Sequence, residues 1–236
     1  MCAAVGKDQK FIGVGHSMGG AALLIAALKH PQLFHGLVVY EPVVFPLELR
    51  VLNIITTAFG DSPLAKQCKR RRNSFASVDK AVENFSSKAP MSAFDGAVLR
   101  DYVQYGLTGR TDRRPAGDLP EPLPGGDSGD LQLNCSPAHE AAIYNTAHTH
   151  TTWSHLSRVS VPVRVVMGRE AQGQVSALSR RIATAIGGPP RCELIEWNDA
   201  SHFGPFEYPE RLAECVEDFA EKLLVGVSPT SSEGAL

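Results

Sequence analysis

The chain has 236 residues, a formal net charge of −2 and 43% hydrophobic residues. That length and apolar share support one domain with a large core, or a domain with an inserted cap, and exclude a disordered chain. The near-neutral charge gives no electrostatic case for nucleic acid or a membrane surface as partner, and no apolar run approaches the length of a membrane span.

Lys10 to His16 reads as the first strand, with the apolar run Phe11–Val14 inside it. Met18 to His30 reads as a helix, in which Leu23, Leu24, Ala27 and Leu28 make an apolar stripe and Pro31 ends the run. Gly36 to Tyr40 is a short second strand, closed by Glu41-Pro42. Strand, helix and strand in this order imply a parallel crossover. From Val43 to about Ser160 the pattern changes. Helices are expected at Leu47–Phe59, Ser77–Ser86 and Ser92–Tyr105, and a Gly/Pro/Asp-rich loop over 108–130. The parallel pattern resumes at Val161–Met167, followed by a helix at Val175–Ile186 and a strand at Cys192–Trp197. Asn198–Phe203 is a loop, Pro209–Leu224 a final helix, and Ser228–Leu236 a polar tail expected to lack order.

The stretch between the first strand and helix carries the chemistry. Gly15-x-Ser17-x-Gly19 has the spacing of a nucleophile elbow. A strand turning sharply into a helix forces its central residue into a strained conformation. Glycines two before and two after are expected to remove side chains that would collide there. Ser17 then stands clear of the sheet at a helix N-terminus.

Through Gly15-His16-Ser17-Met18-Gly19-Gly20 and, near the end, Ala200-Ser201-His202-Phe203, the chain resembles the α/β-hydrolase superfamily. The resemblance implies an α/β fold: a partial α/β-hydrolase fold with a mostly parallel sheet of about four strands, flanked by helices. It implies a discontinuous core over 1–42 and 160–226, a helical cap insertion over 43–159 and a tail over 227–236. A serine nucleophile implies hydrolysis of an ester-like or other acyl bond of a small molecule, with no cofactor and no metal. The alternative is a non-catalytic, hydrolase-like module that binds a ligand or a protein.

Serine is a weak nucleophile at neutral pH, so a base must take its proton. His202 is the expected base, from its place after the last strand and before the final helix. A carboxylate must orient that histidine, in the chain order Ser, acid, His. Glu41 and Glu170 both fit. Glu41 follows the second strand and is favoured, because Ala171 stands where the superfamily's aspartate usually lies. The resemblance also assigns the Met18 backbone N–H to an oxyanion hole.

Three further features read as unremarkable chemistry. Lys69-Arg70-Arg71-Arg72 is expected to be a solvated helix face, and His148, His150 and His155 loop histidines. Cys2, Cys68, Cys135, Cys192 and Cys215 form an odd set without paired spacing, which argues against a disulfide framework or a zinc site. Met1–Lys10 has no apolar core of a signal peptide, so a cytoplasmic location is expected.

The resemblance raises one more expectation. The superfamily's elbow strand is the fifth of eight, so roughly 70 to 100 residues, at about 30 per βαβ unit, normally precede it. Here Met1–Gln9 do. An N-terminally incomplete hydrolase with little or no activity is therefore expected, with Phe11–Val14 as an exposed apolar edge prone to self-association.

Overall fold

The computed structural model describes residues 9–109, 131–169 and 174–225. In chain order the elements are β1 (Phe11–His16), α1 (Met18–Lys29), β2 (Phe34–Tyr40), α2 (Leu47–Ala58), α3 (Pro63–Lys69), β3 (Ser74–Phe75) and α4 (Val78–Ser86). There follow α5 (Gly96–Gly106), β4 (Leu107–Gly109), β5 (Leu131–Leu133), α6 (Pro137–Thr146), β6 (Val163–Gly168), α7 (Gln174–Ile186), β7 (Cys192–Trp197), α8 (Gly204–Glu207) and α9 (Pro209–Val225). These residues divide into two compact units. The first takes the chain up to Val44, Thr151–Pro205, and the chain from Glu210 onward. The second takes Phe45–His150 with Phe206–Pro209.

The first unit is a parallel sheet in the order β1-β2-β6-β7. Strands β2 and β6 lie inside it, which is why Leu37 to Tyr40 and Val163 to Met167 are continuously buried rather than alternating. In α7, Leu178, Ile182 and Ile186 are buried at four-residue spacing. Each such side chain contributes about 1.5–3 kcal/mol by leaving water. Among the described residues β1 is an open edge, and Phe11 and Val14 are 40% and 46% exposed.

The turn from β1 into α1 corrects one expectation. A Cβ on Gly15 would lie 2.7 Å from Leu23 Cδ1 and 2.9 Å from the Gly19 carbonyl carbon and oxygen, so Gly15 is needed for the close packing of α1 on β1. A Cβ on Gly19 would meet nothing within 4 Å. The second tight position is Gly20, where a Cβ would come 3.0 Å from Pro42 Cβ and 3.2 Å from the Gly15 oxygen. Gly15→Ala is expected to destabilise the protein by about 1–3 kcal/mol through overpacking. Gly19→Ala is expected to be neutral or to stabilise by up to about 1 kcal/mol through the gain in helix propensity. Thermal melts of the two variants check this; a larger loss at Gly19 would contradict the packing argument.

The second unit holds more structure than its helical pattern predicts. Its strands form a three-stranded antiparallel sheet in the order β3-β5-β4. Such strands, of two and three residues, are too short to leave a two-residue periodicity. Around them Phe75, Val78, Phe85, Leu99, Val103 and Leu131 form a buried cluster. Helices α3 and α6 are not among the expected elements, although both begin with a serine cap and a proline. Ser62 Oγ accepts from Ala65 N, Ser136 Oγ accepts from His139 N, and Pro63 and Pro137 follow. The expected Ser92–Tyr105 helix is instead a 3-10 turn at Met91–Ala93 and then α5, capped by the Asp95 carboxylate.

Lys69–Arg72 is not one solvated helix face. Helix α3 ends at Lys69, which pairs with Asp61 at 2.6 Å. Arg71 turns inward and donates to Glu140 at 2.5 Å and to the Tyr102 hydroxyl at 3.2 Å. Arg72 lies over the Phe75 ring. The expected tail after Ser228, most of the 108–130 loop, Glu170 and Ala171 lie outside the described residues. Among the described residues no helix is long and apolar enough to cross a membrane, and no cluster of His, Cys, Asp or Glu could hold a metal ion.

Candidate active site

Ser17, Glu41 and His202 all stand at the carboxyl end of the parallel sheet, after β1, β2 and β7 respectively. Parallel strands stop together there, and their loops converge whatever their separation in sequence.

Ser17 has φ 52° and ψ −116°. A non-glycine residue in this region carries about 1–3 kcal/mol of strain, held by its surroundings. The hold is visible. Ser17 N–H donates to the Tyr40 carbonyl at 2.9 Å, and the Ser17 carbonyl accepts from Ala21 N and Val43 N, both at 3.1 Å. Ser17 is the N-cap of α1, but its hydroxyl makes no capping hydrogen bond, unlike the serines that start α3 and α6. The first-turn amides of α1, beginning with Met18 N–H, have no acceptor within the helix and carry its positive dipole end.

Glu41 also has positive φ, at 43°, and its side chain is fully buried. Its Oε1 accepts from Gly168 N–H at 3.0 Å, and its Oε2 accepts from His202 Nδ1–H at 2.6 Å. This bond fixes the tautomer of a neutral His202 ring: the proton sits on Nδ1, and Nε2 keeps its lone pair. The His202 side chain is 25% exposed, so a polar group can reach it from solvent.

Gly168 has a second role. A Cβ there would press well under 3.0 Å against the carbonyl oxygens of Ala200 and Ser201, so the His202 loop sits directly on the end of β6. Gly204 likewise lets the loop close on the Tyr40 phenol.

His16 and Tyr40 were not singled out by sequence. His16 Nε2–H donates to the His202 carbonyl at 2.8 Å, and Tyr40 OH donates to the Ser201 carbonyl at 2.7 Å. The His16 and His202 rings pack with centroids 4.7 Å apart. Burial first, and the neighbouring His202 second, push His16 down to a pKa of about 4, so its ring is neutral at physiological pH. The signal that could have found both is their place directly before Ser17 and Glu41, at the ends of adjacent strands.

The profile of the Alpha/beta hydrolase family matches residues 2–215, and the chain belongs to that family. Among known proteins it is similar to abhydrolase domain-containing protein AFT2-1 of Alternaria alternata, at 22% identity over 231 residues. The match covers 91% of this chain and 84% of that protein. Among solved structures it is similar to peroxisomal alpha-beta-hydrolase Lpx1 from Saccharomyces cerevisiae, with TM-score 0.68 and 18% identity. That match covers 95% of this chain and 56% of Lpx1, so the chain spans little more than half of the Lpx1 length. E-2-(acetamidomethylene)succinate hydrolase is similar at TM-score 0.60 and 18% identity, over 90% of this chain and 67% of the other. The fold is therefore an α/β-hydrolase fold, with a four-stranded parallel sheet flanked by helices.

Proposed function

We propose that the chain carries a serine hydrolase site acting on an ester-like or other acyl bond of a small molecule. Ser17 is the nucleophile, His202 the general base and Glu41 the residue that orients it. The observation that carries this reading is the His202–Glu41 pair. A fully buried carboxylate holds the Nδ1 proton and leaves Nε2 its lone pair, at the same end of the sheet as a serine whose hydroxyl is not spent on capping its helix.

The chemistry follows from these positions. Ser17 Oγ attacks the acyl carbon while its proton passes to His202 Nε2. The resulting imidazolium is stabilised through Nδ1–H by the Glu41 carboxylate. The oxyanion is assigned to the Met18 N–H at the start of α1; one such donor is typically worth about 10²–10³ in turnover. The imidazolium then protonates the leaving group, and water, activated by the same nitrogen, releases the acid.

A fluorophosphonate probe tests this. Ser17 Oγ forms a bond to phosphorus, fluoride leaves, and the adduct stays on the protein. Labelling of Ser17 that is lost in His202→Ala supports the reading. An unlabelled but folded protein would favour the alternative, a hydrolase-like module that binds a ligand or a protein.

The open β1 edge supports a second proposal, that copies of the chain associate through it. Phe11 and Val14 are exposed on a strand whose outer backbone groups meet no neighbouring strand among the described residues. Sedimentation should show association rising with concentration and relieved by Val14→Lys. A monomer at every concentration would rule it out.

A further inference from the structure

We propose that His16 and Tyr40 act as a pair of positioning residues that clamp the His202 loop, and so hold the His202 ring against Glu41. The inference rests on the catalytic reading above and adds two residues to it.

The geometry is specific. His16 and Tyr40 are partners in the β1–β2 register, so their backbones are neighbours at the same level of the sheet. Each directly precedes one of the two described non-glycine residues with positive φ, Ser17 and Glu41. Their side chains donate to two successive carbonyls, those of Ser201 and His202. The strand ends that fix the nucleophile and the carboxylate therefore also grip the backbone of the base.

Packing around the clamp leaves it little freedom. Tyr40 is buried, its ring lies 5.2 Å from Trp197 and 6.0 Å from His16, and Gly204 makes room for its hydroxyl. Loop carbonyls pressed against Gly168 close the other side. The neutral state of His16 suits the task as well. A neutral ring donates from Nε2, yet places no second cation next to His202 when that ring takes a proton.

The test uses the full chain and three substitutions. His16→Phe and Tyr40→Phe keep a ring and delete one donor each, and His16→Gln restores a donor of similar reach. With Ser17 intact, both Phe variants are expected to slow fluorophosphonate labelling by about 10- to 100-fold, the size of effect that misplacing a catalytic group by an ångström produces. His16→Gln is expected to recover most of the loss. Independently of activity, the proton between His202 Nδ1 and Glu41 should give a far-downfield resonance in histidine-labelled protein. That signal should broaden or move upfield in both Phe variants and return in His16→Gln.

Both Phe variants labelling at the parent rate, with the resonance unmoved, would overturn the proposal. Ser17→Ala run alongside separates the two readings. If label still attaches in Ser17→Ala, the catalytic assignment fails. If label is lost there while the Phe variants match the parent, only the clamp fails. A folded parent that takes no label leaves the resonance to decide the clamp.

Discussion

On the proposed serine-hydrolase reading, replacing Ser17 with alanine is expected to remove acyl hydrolysis down to the background that binding and the Met18 amide provide, a loss that reaches about 10⁶-fold in a fully active site. Glu41→Gln should cost less, about 10⁴-fold, because a glutamine can still accept from Gly168 N–H but no longer balances the His202 imidazolium. Stability should move the other way at Ser17. Its φ of 52° is strained for serine and open to glycine, so Ser17→Gly should raise the stability by about 1 kcal/mol while abolishing labelling. Turnover of a p-nitrophenyl ester and thermal melts on the same samples give both readings. A Ser17→Gly variant that melts lower than the parent would mean that the elbow is relaxed, and Glu41→Gln with unchanged turnover would remove the carboxylate from the mechanism.

The largest stability effect is expected at Arg164, and it should be asymmetric. Arg164 lies in β6 with its side chain 2% exposed. Its guanidinium donates to Glu193 in β7 at 2.6 and 2.8 Å, to Asp218 in α9 at 2.7 Å and to the Cys215 carbonyl at 2.6 Å. It also stacks over the Phe219 ring, and Lys222 bonds to Asp218 at 3.0 Å. The two carboxylates are 39% and 54% exposed, so they can return to water if the arginine goes. The arginine cannot do so if they go. Arg164→Met, of similar volume, should therefore cost no more than about 2 kcal/mol. The double variant Glu193→Gln/Asp218→Asn leaves a buried cation without a counter-charge and should cost about 3–5 kcal/mol. In a chain of this size that lowers the melting temperature by roughly 10 °C. Arg164→Met melting below the double variant would show that the arginine's own packing, not its charge, holds β6, β7 and α9 together.

Much of this molecule is local in origin, and that part was legible from the residues. Gly15-x-Ser17-x-Gly19 between an apolar strand and an alanine-rich helix specifies the elbow, because strand and helix periodicity, tight glycine packing and the positive φ of Ser17 act over about ten residues. The α7 stripe of Leu178, Ile182 and Ile186 is equally local. The order of strands was not. The Glu41–His202 pair was expected through the family resemblance, but that Tyr40 would also end against the His202 loop, 161 residues from Ser201, depends on β6 lying between β2 and β7, and no run of residues encodes a strand's neighbour. The same holds for which glycine is needed. Gly15 and Gly19 are symmetric about Ser17 in sequence, yet only Gly15 faces another backbone, because α1 folds back over the strand and leaves Gly19 on its outer side. Arg164 shows the limit most plainly. A charged residue within an apolar strand run reads as an interruption, and it becomes tolerable only where β7 and α9 bring Glu193 and Asp218 to it, since a buried cation is stable only with its counter-charges in place.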